Sequence, residues 1–369
     1  NLFPYTIGKY AKEHRIPISV TIELTPFCNF NCVMCYVHLT LEQARKQGEL
    51  LTKDEILNLA LEARNMGTLY LTLTGGEPLS RPDFWDIYKE LNKMGFLISI
   101  LSNGSLIDEI AMGKFKEYGM PYSVKLTLYG ASNETYKKVC NSENGFTKIE
   151  NAVKLLKENQ VPLSLTATIV KENADDLREM YEIAKNWGVR FCHTISVVKS
   201  ARGSVNTAET SRFAFDEFAK HLSLEQLEKH KFKNPESPFS WCSSYRNSFW
   251  LTWNGHVQLC AFMNGPYVSI NNGLENAWKE LNEKLDKLKN PKECEDCKYS
   301  EFCQRCPGML CAESGNAEVV SYSVCNTAKK LFSYIPPGFT HSQKHSRLAR
   351  ESCAPRIPRL KSWVLRDEE

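Results

Sequence analysis

Apolar residues along the first 215 positions alternate between short runs of strand period and longer runs of helical period. ISVTIEL (18–24) reads as a strand. Thr52 then stands as an N-cap with Glu55 three residues on, a capping box, before apolar Ile56, Leu59, Ala60, Ala63 and Met66 at helical spacing and a closing Gly67. LYLTLT (69–74) predicts the next strand. A helix over 83–94 follows, burying Phe84, Ile87, Tyr88 and Leu91, and Gly95 leads into the strand FLISIL (96–101). The cycle continues with strands near 122–128, 163–170 and 189–198, separated by amphipathic helices that include 146–159 and 174–187. Strands that each lead into a helix imply a parallel sheet with right-handed crossovers. Six such units are too few for a closed eight-unit barrel, so the expected fold class is α/β, a partial (β/α)6 TIM-like barrel.

Beyond about residue 215 the alternation stops. LTWNGHVQL (251–259), with Asn254-Gly255 between alternating residues, predicts a hairpin, and a helix over 275–289 follows. The expected domains are a short N-terminal extension (1–17), the partial barrel (18–215), a C-terminal domain (216–335) and a tail (336–369). Before its acidic end, that tail carries seven Lys/Arg against one Glu.

Cysteine changes the picture more than charge does. Lys and Arg exceed Asp and Glu by 46 to 43, so no global field advertises nucleic acid or an anionic membrane. No apolar run has the length of a membrane span and no signal peptide opens the chain, so a cytoplasmic protein is expected. Fourteen cysteines in such a chain argue for metal ligation over a disulfide framework. CNFNCVMCY (28–36) spaces Cys28, Cys32 and Cys35 as C-x3-C-x2-C with Tyr36 directly after. Disulfide pairing leaves one of these thiols over, and structural zinc wants four ligands in two close pairs. Three thiolates on a loop at a strand end suit a [4Fe–4S] cube with one iron left free. Eight further cysteines, Cys242, Cys260, Cys294, Cys297, Cys303, Cys306, Cys311 and Cys325, crowd into 84 residues and mark a second metal-binding region, for which zinc is the plainer alternative. Cys140, Cys192 and Cys353 are read as incidental, although Cys192 on the sixth strand is a candidate hydrogen-donating thiol.

The motif CNFNCVMCY resembles the signature of the radical S-adenosylmethionine (radical SAM) superfamily, and TGGEP (74–78) resembles that superfamily's GGEP motif. Residues 242–325 resemble the SPASM domain: Cys242-x12-Gly255-x4-Cys260 and Cys294-x2-Cys297-x5-Cys303 fit its pattern, with Cys325 as the final thiol. Position 307 is Pro where that pattern has Cys, and thiols stand at 306 and 311 instead. The resemblance implies that Cys28, Cys32 and Cys35 hold a SAM-binding [4Fe–4S] cluster, and that Gly75 and Gly76 allow close backbone approach to the ligand. It further implies that Glu77 accepts the SAM ammonium, that Pro78 fixes the turn, and that Tyr36, Ser102, Asn103 and Arg212 line the SAM site. Two auxiliary clusters are implied. Cys294, Cys297, Cys303 and Cys325 would form one, and Cys242, Cys260 and Cys306 the other, with Cys311 either a fourth ligand or a bystander.

The SPASM resemblance, and that of residues 126–158 to peptide-modifying enzymes, implies an oxidoreductase that modifies a ribosomally made precursor peptide by thioether or carbon–carbon cross-linking. Peptide epimerisation and anaerobic sulfatase maturation are the alternatives, and a metal-bearing scaffold without chemistry is the alternative of another class. Implied partners are the precursor peptide, a separate leader-recognition protein and an electron donor such as flavodoxin or ferredoxin.

Overall fold

The computed structural model describes residues 3–199, 202, 208–212, 237–303 and 305–334. The 336–369 tail and Cys353 lie outside the described residues. Strands β1 (Ser19–Glu23), β2 (Tyr70–Thr74), β3 (Leu97–Ser102), β4 (Ser123–Thr127), β5 (Leu163–Thr168) and β6 (Arg190–Thr194) pair in parallel in chain order. Helix α1 (Phe3–His14) precedes them, in a stretch where the sequence predicted no element. Helices α2 (Leu41–Gln47) and α3 (Lys53–Asn65) follow β1, α4 (Phe84–Lys93) follows β2, and α5 (Glu109–Tyr118) follows β3. After β4 come α6 (Asn133–Cys140) and α7 (Gly145–Glu158), then α8 (Leu177–Asn186) after β5 and the short α9 (Ala208–Ser211) after β6. The sheet does not close, so the architecture is an open, partial (β/α)6 barrel as the alternation of periods implied.

The helix faces agree with their spacing. Ile56, Leu59, Ala60 and Ala63 of α3 are buried, and Thr52 caps that helix reciprocally with Glu55. Phe84, Ile87, Tyr88 and Leu91 of α4 are fully buried against the sheet. The predicted strand 189–198 is shorter than expected, ending at Thr194, and its residues are only half-buried because β6 is the sheet's edge.

The C-terminal hairpin does not form a sheet of its own. Strand β7 (Ser248–Leu251) lies parallel beside β1, pairing Ser19 with Ser248 and Ile22 with Leu251. Strands β8 (His256–Gln258) and β9 (Val268–Ser269) continue antiparallel from it, giving one nine-stranded sheet in the order β6-β5-β4-β3-β2-β1-β7-β8-β9. The turn at Asn254-Gly255, with Gly255 at φ +80°, is the hairpin the sequence predicted. Its pairing covers the row of N–H and C=O groups on the free edge of β1, which would otherwise stand open. Helices α10 (Leu274–Asp286), α11 (Pro307–Ser314) and α12 (Tyr322–Tyr334) complete the described chain. No helix among the described residues is long and apolar enough to cross a membrane.

Arg81 holds the C-terminal edge of this sheet in place. Its buried guanidinium donates to the carbonyls of Leu24 (2.7 Å) and Leu51 (2.9 Å) and pairs with Asp83 (2.6 Å). It thereby ties the segment leaving β1 to the entry of α3 and the start of α4. Arg81→Met leaves two carbonyls without that donor, at about 1–3 kcal/mol for a buried unsatisfied group. The expected outcome is a lower denaturant midpoint at unchanged m value. An unmoved midpoint would show that water replaces the guanidinium without cost.

Candidate active site and metal centres

The loop bearing Cys28, Cys32 and Cys35 leaves the C-terminal end of β1, and the backbone of the TGGEP segment at the end of β2 runs directly against it. Gly76 N–H donates to Thr25 O (2.7 Å) and Glu77 N–H to Phe27 O (2.9 Å). A Cβ on Gly75 would stand 2.4 Å from Thr25 O, and one on Gly76 would stand 2.0 Å from Phe27 O. Gly75 also adopts φ +150°, which disfavours a side chain. The close approach these glycines permit is therefore to the cysteine loop's own backbone, where the sequence suggested a bound ligand. Peptide meets peptide here with no room for a methyl group.

Glu77 brackets two strand ends. It is fully buried, and its carboxylate accepts from Ser102 Oγ (2.9 Å), Asn103 N–H (2.8 Å) and Leu79 N–H (3.2 Å). Burial pushes its carboxyl up to about 7, and these three donors pull the other way. Pro78 opens the single 3-10 turn that follows, as expected of a residue with fixed φ. Asn103 carries the bracket on to the cysteine loop: its Nδ2 donates to Asn29 Oδ1 (2.9 Å) and reaches Cys28 Sγ at 3.7 Å, while Asn29 donates to Ser105 Oγ (2.7 Å). Ser102 and Asn103 thus hold Glu77 and the loop.

Two of the three thiols of the loop face backbone donors. Phe30 N–H points at Cys28 Sγ (3.4 Å) and His38 N–H at Cys35 Sγ (3.2 Å). Burial pushes Cys28 up to about 12 and Cys35 up to about 11, in each case with their neighbours' charge adding to it. Cys32 is raised by its contact with Cys140 and by burial, so Cys140 is packed against the motif and is not incidental in position. Thiols in such surroundings become thiolates when a cation's charge compensates them, and the aimed N–H groups are the donors that cluster sulfurs use. Among the described residues no three His, Cys, Asp or Glu side chains converge on one point as a single ion requires.

Tyr36 and Arg212 have partners within the chain. The Tyr36 ring lies 5.3 Å from that of Phe262, and its hydroxyl is pushed up by burial and by the charge of Glu23, with Cys35 and Cys260 also near. One aromatic side chain thus stands between the first cysteine loop and the C-terminal thiols. Arg212 pairs with Glu313 and donates to Val197 O (3.0 Å), so its charge is met by α11 and the strand-end segment. A different arginine sits at the end of β1. Arg202 and Glu23 form a buried ion pair, and Trp250 Nε1 donates to Glu23 Oε1 (2.7 Å). Nothing along the chain marks this group beyond a lone acid ending a strand.

The C-terminal thiols separate into two sets and one outlier. Cys294, Cys297, Cys303 and Cys325 act on one another: burial first, then this mutual charge, raises Cys294 to about 11 and also raises Cys303 and Cys325. Cys242, Cys260 and Cys306 form the second set around a cavity of about 150 Å³, which Trp241, Arg305 and Gly308 also line. Burial and the other two thiols raise Cys260 to about 12. A Cβ on Gly308 would stand 3.1 Å from Cys260 Sγ, so that position keeps the cavity open. Lys12 of α1 docks on Cys242 O (2.9 Å), a contact not legible in the sequence. Cys311 belongs to neither set: its buried thiol donates to Asn264 Oδ1 (2.9 Å) and Gly265 O (3.2 Å).

Substitution at the two kinds of glycine separates the close approach from mere flexibility. Gly76→Ala is expected to destabilise by about 1–3 kcal/mol through overpacking and to lower the iron retained after reconstitution. Gly113, inside α5 with nothing within 4 Å of an added Cβ, should gain about 0.5–1 kcal/mol as Ala. Thermal unfolding and iron counts read both, and equal effects at the two positions would contradict the steric account.

Comparison with known proteins agrees with this geometry. Residues 22–184 match the model of the Radical SAM superfamily. The AdoMet-dependent heme synthase of Methanosarcina barkeri is 26% identical over 349 residues, spanning 85% of this chain and 98% of that protein. A probable GTP 3',8-cyclase of Saccharolobus islandicus is 28% identical over 215 residues, spanning 58% of this chain and 68% of its own length. Streptococcus suis SuiB bound to precursor peptide SuiA superposes with a TM-score of 0.62 at 15% identity, covering 86% of this chain and 78% of that one. Native anSMEcpe with bound AdoMet superposes at 0.59 and 19% identity, covering 86% and 96%. At these identities the solved structures speak for the fold alone. Enzymes of this kind use a [4Fe–4S] cluster and SAM. With the C-x3-C-x2-C loop packed on the GGEP strand end and the C-terminal cysteines fitting the SPASM pattern, residues 22–184 are a radical SAM domain and the chain is an enzyme.

Proposed function

We propose that this enzyme modifies a ribosomally made precursor peptide, forming a thioether or carbon–carbon cross-link. In this reading residues 18–215 carry the radical chemistry and 216–335 the auxiliary clusters. Cys28, Cys32 and Cys35 hold the SAM-binding cluster. Cys294, Cys297, Cys303 and Cys325 hold one auxiliary cluster, and Cys242, Cys260 and Cys306 the other. Reduced cluster and SAM together supply a 5′-deoxyadenosyl radical able to take hydrogen from an unactivated C–H bond. The chain's own residues orient and exclude water. Glu77, Ser102 and Asn103 fix the loop that carries the three thiols, and Tyr36 with Phe262 closes the space toward the C-terminal region. Electrons come from a donor of the flavodoxin or ferredoxin kind, and a separate protein recognises the leader.

One observation carries the choice of a sulfur-bearing peptide. The Cys242, Cys260 and Cys306 set has three thiols around its cavity, and the nearby Cys311 is turned to Asn264 and Gly265. A set one thiolate short of four suits a peptide that brings its own cysteine, which favours thioether formation. The SuiB structure with precursor peptide SuiA supports a peptide in this fold. A second reading, a substrate of heme synthesis, is favoured by the heme synthase relative, whose alignment spans nearly its whole length.

Two variants test the assignment of sites. Replacing Cys28, Cys32 and Cys35 together with Ala should abolish reductive SAM cleavage while iron remains bound to the C-terminal cysteines. Continued 5′-deoxyadenosine formation in that variant would falsify the assignment of the radical site.

Cys311→Ala should leave about twelve irons per chain, four for each of three clusters. It should also leave unchanged the spectral response of the reduced protein to a cysteine-containing peptide. Loss of about four irons would make Cys311 a ligand and remove the argument for a peptide thiolate. A response to a heme precursor instead of any peptide would favour the second reading.

A further inference from the structure

Arg305 occupies a place that neither cysteine pattern explains. It lies between Cys303 and Cys306, which belong to different thiol sets, and it adopts φ +42°, a conformation that a side-chain-bearing residue rarely takes. That backbone turn sends Cys303 toward Cys294, Cys297 and Cys325, and Cys306 toward Cys242 and Cys260. The side chain is buried (6% exposed). Its Nη1 donates to the carbonyl of Cys294 (3.2 Å), a residue of the first set. The same residue lines the cavity enclosed by Cys242, Cys260 and Cys306, the second set. Its backbone N–H also donates to the thiol of Cys303, and its charge opposes the effect of burial on Cys294 and Cys303. Arginine stays protonated in proteins, so a full positive charge is fixed at this boundary at any working pH.

We propose that Arg305 is the shared electrostatic element of the two auxiliary clusters: one buried guanidinium that raises the reduction potential of both. Adding an electron makes a cluster more negative, and a cation held beside it in a poorly screened interior favours the reduced state. A charge in contact with the surroundings of both sets acts on both. A surface lysine could not do this, because solvent and salt would screen it. Reduction of either cluster would also weaken the benefit the other draws from the same charge, so the two would titrate as a linked pair. The inference rests on the assignment of these two sets as cluster ligands in the proposed function.

The test uses the full-length chain reconstituted with iron and sulfide, in a Cys28, Cys32 and Cys35→Ala background so that only C-terminal clusters contribute. Iron is counted, and midpoint potentials are read by EPR-monitored redox titration. Arg305→Gln is expected to keep about eight irons, four for each of two clusters, and to move both midpoints to more negative values. Arg305→Lys, which keeps the charge without the planar fork, should stay near the parent. A Gln variant at full iron with either midpoint unmoved overturns the proposal. Should the Gln variant bind less iron, the Lys variant decides. Parental iron and potentials with Lys support the role of charge, whereas iron loss with Lys as well assigns Arg305 to holding the turn and overturns it. A background protein that binds no iron at all would instead remove the ligand assignment on which the inference stands.

Discussion

The close contact of two backbones, Gly75-Gly76-Glu77 against Thr25–Phe27, is the constraint from which the rest of the site follows. A parallel sheet brings the ends of β1 and β2 together, but side chains would normally keep the chains leaving those strands apart. Two glycines remove that barrier, and the two N–H···O bonds then dock the cysteine loop on the GGEP segment. Once the loop is docked, Glu77 falls between the ends of β2 and β3. There a fully buried carboxylate is held by three donors. Asn103, positioned by that carboxylate, reaches back to Asn29 and Cys28. The cysteine loop is thus tied by hydrogen bonds to the ends of β2 and β3.

A second consequence of the sheet is the union of the two cysteine regions. Because β7 pairs with β1, the hairpin that leads to Cys260 lies beside the strand that leads to Cys28. Tyr36 then meets Phe262, and the buried Glu23–Arg202 pair with Trp250 fills the space at the same strand end. A buried ion pair of this kind adds little net stability by itself. Its effect is to hold Arg202 at the end of β1. Regions that would otherwise be two domains on a linker share one sheet, so the spacing between their thiol sets is set by strand geometry.

The strands of the barrel and most helices between them were legible in the sequence because each is decided by its own spacing, whereas α1 was not. Ile56, Leu59, Ala60 and Ala63 mark one helix face whatever lies opposite, and Asn254-Gly255 makes its turn locally. The cysteine sets were legible for a similar reason: metal ligation demands particular residue types at short, fixed separations. The partners of polar groups were not legible. Arg212 finds Glu313, Lys12 finds the carbonyl of Cys242, and Arg81 finds Leu24 and Leu51, across separations to which no periodicity applies.

Local period and ligand spacing suffice for an α/β chain of six βα units, a three-cysteine loop at a strand end and a cysteine-rich C-terminal region, and the radical type of that loop is what its resemblance implies. Folding alone brings Gly75 and Gly76 against the chain's own backbone, turns Cys311 to Asn264 and Gly265, and sets one arginine between two thiol sets. Those facts depend on which surfaces meet after the sheet forms. A steric clash at 2.0 Å or a thiol turned toward an amide oxygen exists only between residues that folding brings together.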